Sequence, residues 1–197
     1  MLRAGVISLQ GAVPEHMRAF QQAFRDMGLQ GEAVAIRNLE ALRNVDCLAI
    51  PGGESTTIAK LLKRFQMMEA IREMGTDGVP IMGTCAGCIL LAEEGDLDVK
   101  RTDTELLGMM KMRVNRNSFG RQRESFEAPV EIDGLPGTFP AVFIRSPSIE
   151  KTWGDCRPLS TWNDRIIMAR QGNMLAISFH PELSSDSSVH RMLLGML

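Results

Sequence analysis

The chain has 197 residues, 44% of them hydrophobic, which is enough for a substantial core and within the usual length of one domain. Its 22 basic and 24 acidic residues leave a formal charge of −2, which argues against nucleic acid or an anionic membrane as partner and for a small molecule or another protein. No apolar run approaches the ~20 residues that span a bilayer. The opening MLRAGVISLQ enters a strand pattern without a charged leader, and four cysteines are too few for a secreted disulfide framework, so a reduced, cytoplasmic protein is expected.

In chain order, AGVISL reads as a buried strand, and residues 14–27 carry apolar positions at Met17, Phe20, Ala23, Phe24 and Met27, a helical period that stops at Gly28. EAVAI and CLAIP are further strands. Residues 55–74 are helical, as one long helix or as two with a break, and VPIMG is the next strand. Strand alternating with helix predicts an α/β fold with a mostly parallel sheet covered on both faces. After a helix expected at 86–93 the pattern changes. LLGMMKMRV, FEAPVEI, FPAVFIR, DRIIMARQ and NMLAISF are strand-like runs with short turns at DGLPG and QGN, so an antiparallel or mixed extension of the sheet is expected in the C-terminal half. A helix over 187–197 closes a single domain spanning 1–197.

The stretch GTCAGC, residues 83–88, places Cys85 between two glycines directly after a strand. A strand, a sharp Gly-x-Cys-x-Gly turn and a helix form the thiol version of a nucleophile elbow, which lifts the reactive atom to the carboxyl edge of the sheet. The backbone N–H groups that open the helix, beginning with Ala86, favour the thiolate and can receive the oxyanion formed when it attacks an acyl carbon. The expected proton donor is His180 in ISFHPEL, at a strand end before a proline, with Glu182 two residues on to orient the imidazole. His16 and His190 fall within helices and are expected to be solvated. The loop PGGESTT, residues 51–57, follows a strand in the same half of the sheet; Gly52 and Gly53 permit backbone conformations that turn N–H groups toward a developing negative charge. Ser55 or Thr56 is expected to cap the helix that follows. Cys47 and Cys156 are expected as core or loop cysteines.

PGGES, GTCAG and FHPE, in this order, resemble the class I, triad-type glutamine amidotransferases. GVISLQGAVPEH, PGGESTT, RNSFGRQRESFE (116–127), VFIRSP (142–147) and SFHPEL are similar to the glutaminase subunits of pyridoxal 5′-phosphate synthase, from about residue 3 to the final helix. The resemblance implies a flavodoxin-like three-layer sandwich and hydrolysis of L-glutamine to glutamate and ammonia through a cysteine thioester. It implies Cys85 as nucleophile, His180 as general acid and base, Glu182 as its orienting partner, and glutamine bound by Gly53, Glu54, Ser55, Arg116, Ile144 and Arg145. Arg116 and Arg145 would pair with the substrate carboxylate or hold the loops around it. It further implies no cofactor and no metal, and ammonia passed to a (β/α)₈-barrel synthase subunit, with Gln10 near that contact. Asn115, Ser146 and Cys88 stand where an acidic residue, an alanine and a larger apolar residue are more usual.

Other readings of the same residues are a redox pair from Cys85-Ala-Gly-Cys88, a zinc site from Cys85, Cys88, His180 and Glu182, a cysteine hydrolase of another amide, and a non-catalytic binding subunit. The redox pair leaves PGGES and FHPE unexplained, and zinc would consume the nucleophile.

Overall fold

The computed structural model describes residues 1–116, 118 and 125–197; of the run 116–127, positions 117 and 119–124 lie outside the described residues. The chain runs through β1 (Leu2–Ile7), α1 (Val13–Met27), β2 (Gly31–Ile36), α2 (Leu39–Leu42), β3 (Cys47–Ile50), α3 (Ser55–Arg64), α4 (Met68–Thr76), β4 (Ile81–Thr84) and α5 (Ala86–Leu91). It continues through β5 (Ala92–Gly95), α6 (Leu97–Arg101), β6 (Met110–Asn115), β7 (Phe126–Glu131), β8 (Thr138–Phe143), β9 (Ser148–Thr152), β10 (Arg157–Trp162), β11 (Arg165–Gln171), β12 (Met174–Ile177), a 3-10 turn at Pro181–Leu183 and α7 (Ser188–Leu194).

Strands β2, β1, β3, β4 and β12 lie side by side in that order and pair in parallel. This is the flavodoxin-like order 2-1-3-4-5, with the last place taken by the strand before the C-terminal helix. Beyond β12 the sheet turns antiparallel through β11 and β9 to β6, with β5 parallel at the far edge and β10 paired to β11 off the main path. The hairpin β7–β8 around DGLPG was expected as part of this extension, but it forms a separate two-stranded sheet. Its inward residues Val130, Phe139 and Phe143 pack on the face of the main sheet rather than adding to its edge.

Alternation along each strand divides the core. In β3, Cys47 and Ala49 face one layer with Phe20 and Phe24 of α1 and Val189 and Leu193 of α7, whereas Leu48 and Ile50 face the other with Ile58 and Leu62 of α3, Ile71 of α4 and Leu90 of α5. α1 forms because Pro14 stands in its first turn, where no N–H is needed, and it stops because Gly28 takes the left-handed conformation (φ 64°). The helical stretch 55–74 is two helices, broken where Gln66 adopts φ 57°. The helix expected at 86–93 ends at Leu91, and the chain passes directly into β5.

Candidate active site

Four of the parallel strands, β1, β3, β4 and β12, deliver their following loops to one carboxyl edge, and these loops carry Gln10, Gly52 and Gly53, Cys85, and His180 respectively. Ligands of open α/β sheets bind at such an edge. Cys85 sits between β4 and α5 with φ 49° and ψ −100°, a strained conformation for a residue with a side chain. Its N–H donates to Ile177 O at 2.8 Å, tying the turn to β12. The flanking glycines are needed for close approach. A Cβ on Gly83 would strike the Gly87 carbonyl, and one on Gly87 would strike the Ile50 carbonyl, so α5 can lie tightly on β3 only without side chains there.

His180 follows β12, its N–H donating to Val142 O at 2.8 Å. Pro181 begins the 3-10 turn that brings Glu182 back beneath the ring, where Glu182 Oε1 lies 2.7 Å from His180 Nδ1. Glu182 is 6% exposed and His180 8%. Burial alone would lower the imidazole pKa, but interaction with Cys85 and Glu182 outweighs it and raises His180 to about 10. Burial likewise works against the Glu182 carboxylate, and the histidines around it, His16 and His180, hold its pKa below the ordinary value. Gly52 fits between the Cys85 and His180 side chains, since a Cβ there would lie 2.5 Å from His180 Cε1 and 3.2 Å from Cys85 Cβ.

A cleft of about 400 Å³ opens beside Cys85 and His180 and is lined by Gln10, Gly53, Glu54, Ser55, Ala86, Arg116, Ile144 and Arg145, joined by Ile89 and Pro147, which the sequence did not single out. Gly53 (φ 155°) is packed against the Gln10 amide, and Gln10 Oε1 accepts the Glu54 N–H at 2.8 Å, so the β1 loop holds the β3 loop. The cap of α3 is Glu54 and neither Ser55 nor Thr56; its carboxylate accepts from Thr56 N and Thr57 N, because a longer acidic side chain reaches both orphan donors at once. These bonds and those from the two threonine hydroxyls overcome the cost of burial and lower the Glu54 carboxyl to about 2. Arg116 donates to Glu54 Oε1 at 2.6 Å and to Thr102 Oγ1 at 3.0 Å, bridging the α3 loop to the turn after α6. Arg145 is exposed and takes φ 45°; beside it the Ile144 N–H donates to Ser146 Oγ at 3.2 Å, a bond alanine at that position would lack.

The expectation of solvated positions for His16 and His190 is wrong. Both are fully buried. His16 Nδ1 lies 3.1 Å from His190 Nε2, and His16 Nε2 lies 3.1 Å from Thr84 Oγ1 and 3.4 Å from Glu182 Oε2, immediately behind the His180–Glu182 pair. The helical period carried the signal: His16 shares a stripe with Phe20, Ala23 and Met27, and His190 with Leu193 and Leu194. Cys88 is a free thiol on α5, fully buried in the core, and burial drives its pKa far up, so it is suited to packing rather than exchange with Cys85. Burial also raises Cys47 to about 12 and Cys156 to about 11.

Residues 6–197 match the family model described as the SNO glutamine amidotransferase family. The chain is 47% identical over 196 residues to the pyridoxal 5′-phosphate synthase subunit PdxT of Methanosarcina barkeri, covering 100% of this chain and 98% of that one. It is 45% identical over 196 residues to the subunit of the same name from Geobacillus thermodenitrificans, covering 100% and 95%. A solved structure described as a glutamine amidotransferase superposes with a TM-score of 0.86 at 40% identity, covering 98% of this chain and 97% of that one.

Proposed function

The chain belongs to the SNO glutamine amidotransferase family, and from this premise we propose that residues 1–197 act as one glutaminase domain in which Cys85, His180 and Glu182 form the catalytic triad. The observation that carries the reading is a thiol on a strained elbow sharing a cleft with an imidazole whose far nitrogen is 2.7 Å from a buried carboxylate. The Cys85 thiolate attacks the side-chain carboxamide carbon of L-glutamine, and the N–H groups of Gly53 and Ala86 receive the oxyanion. His180 donates its proton to the leaving ammonia, and a γ-glutamyl thioester remains. Water, deprotonated by His180, then attacks the thioester and releases glutamate and the thiol.

Glutamine lies in the cleft against Gly53, Glu54, Ser55 and Ile144. Arg116 is committed to Glu54 and Thr102 and so holds the loops together, which leaves the substrate carboxylate to Arg145 at the mouth. Ammonia set free in water would be protonated and lost as a nucleophile, so the chain works with a pyridoxal 5′-phosphate synthase partner subunit that consumes it, as the relatives' name supports. That partner is a (β/α)₈ barrel, and its contact includes Gln10, whose hold on the Glu54 N–H sets the loop that supplies an oxyanion donor. One such donor is typically worth about 10²–10³ in rate, so docking can switch the enzyme by turning a single amide. Four free thiols, and no described helix long and apolar enough to cross a membrane, support a cytoplasmic setting.

The test is ammonia release from glutamine by the chain together with the synthase subunit. Cys85→Ser abolishes it while the unfolding transition stays in place; an unchanged rate excludes the triad.

A further inference from the structure

Behind the triad lies a buried polar cluster that the proposed reaction does not use. Glu182 has two carboxylate oxygens, and only Oε1 is spent on His180. Oε2 is buried and lacks a hydrogen-bond partner among the described residues, and what faces it at 3.4 Å is His16 Nε2. An ionised oxygen withdrawn from water and left without a donor is costly, and the carboxylate is then held toward His180 only by that one bond and its own backbone N–H.

The tautomers follow from the partners. A neutral imidazole carries one donor and one acceptor nitrogen. If the proton of His16 were on Nδ1, the Nε2 lone pair would point at an anionic oxygen in a low-dielectric interior, where the repulsion is strong. With the proton on Nε2, His16 donates between Glu182 Oε2 and Thr84 Oγ1, and its Nδ1 accepts from His190 Nε2–H at 3.1 Å. His190 Nδ1 is then the unprotonated nitrogen, consistent with its having no hydrogen-bond partner among the described residues. The His190 Nε2–H then points toward His16, and the His16 Nε2–H toward Thr84 and Glu182. The row joins α1, α7 and the residue immediately before Cys85.

We propose that His16, oriented by His190, is a positioning residue for the triad: its Nε2–H anchors the inner oxygen of Glu182 so that the outer oxygen stays on His180. This rests on the glutaminase reading above. His16 does not line the cleft, so it acts on turnover and not on glutamine binding.

The experiment compares His16→Gln, which keeps an N–H donor of similar reach, with His16→Met, which has the same length and no donor, each as the full chain with the synthase subunit. His16→Met lowers kcat about tenfold or more with KM within about twofold, and His16→Gln restores kcat to within about threefold of the unaltered chain. A kcat for His16→Met equal to that of the unaltered chain overturns the proposal, as does equal loss in both variants. If His16→Met does not fold, ¹⁵N-histidine NMR of the unaltered chain decides: the proposal requires Nε2–H at both His16 and His190, and Nδ1–H at His16 overturns it. An unaltered chain that releases ammonia, a dead Cys85→Ser and an unimpaired His16→Met would sink this inference alone, whereas an inactive unaltered complex would sink the glutaminase reading and leave the tautomers as the test.

Discussion

Gly52 shows how little space the proposed chemistry leaves. It lies against both side chains proposed to react, and the 2.5 Å that separates its notional Cβ from His180 Cε1 is well inside van der Waals contact. A methyl group there can be accommodated only by moving the imidazole away from Cys85, because the other neighbour is the Cys85 Cβ, fixed by the elbow. Gly52→Ala is therefore expected to lower kcat by about 10²-fold or more, since misplacing a reacting group by about 1 Å has that effect, while the melting temperature changes little. A variant with full activity would show that His180 does not work from this position. At this scale the sequence was most legible where a residue type is rare and its motif specific: the structure brings Cys85, His180 and Glu182 into one corner. It was least legible where residue type and position disagree. His16 is polar on an apolar stripe, and reading the polarity over the period gave solvent where the structure has core.

The elements bring the site together through close backbone approach more than through side-chain contacts. α5 is only six residues long and buried on every side, so its seat on β3 depends on Gly87 passing under the Ile50 carbonyl. Gly87→Ala inserts a Cβ against backbone that cannot rotate out of the way; a loss of about 3 kcal/mol, the upper end for overpacking, is expected in urea unfolding. An unaffected midpoint would mean that α5 can slide on the sheet, and the elbow would then not be rigid. The buried parallel strands were legible because both faces are apolar and the runs are rich in Val, Ile and Ala. β9 and β10 were not: SIEKT turns charged residues to solvent, and RPLSTW carries Pro158, which demotes a strand to an edge, the place β10 occupies beside β11. The one-turn α6 rests on its Asp96 cap, a local signal too short to stand out from a loop.

Across the whole molecule, the place of β12 between β4 and β11 decides whether there is a site at all, since it carries His180 to Cys85 across ninety-odd residues of intervening chain. No local pattern states that pairing, because register is a property of two strands together. The same long-range closure buries three histidines of opposed behaviour, and the stability of the fold should report it. Burial first, and His16 beside it, lower His190 to about 3, and burial lowers His16 also, so the unfolded chain takes up protons near pH 6.5 that the folded chain refuses. Their contribution is full above pH 6.5 and is lost as pH falls below it, at ~1.4 kcal/mol per pH unit for each group. His180 has the opposite sign: raised to about 10, it contributes fully below pH 6.5 and is lost between there and about 10. Stability is thus expected to peak near pH 6.5. Urea unfolding between pH 5 and 6.5, above most carboxylate titrations, should show an acid slope that His190→Phe cuts by about one proton, leaving that of His16, while the alkaline limb is untouched. His180→Asn should flatten the alkaline limb between pH 6.5 and about 8, below the range where the buried thiols add their own slope, and spare the acid one. If His190→Phe leaves the acid slope unaltered, His190 is protonated in the folded protein, and its Nδ1 is not the bare nitrogen assigned to it above.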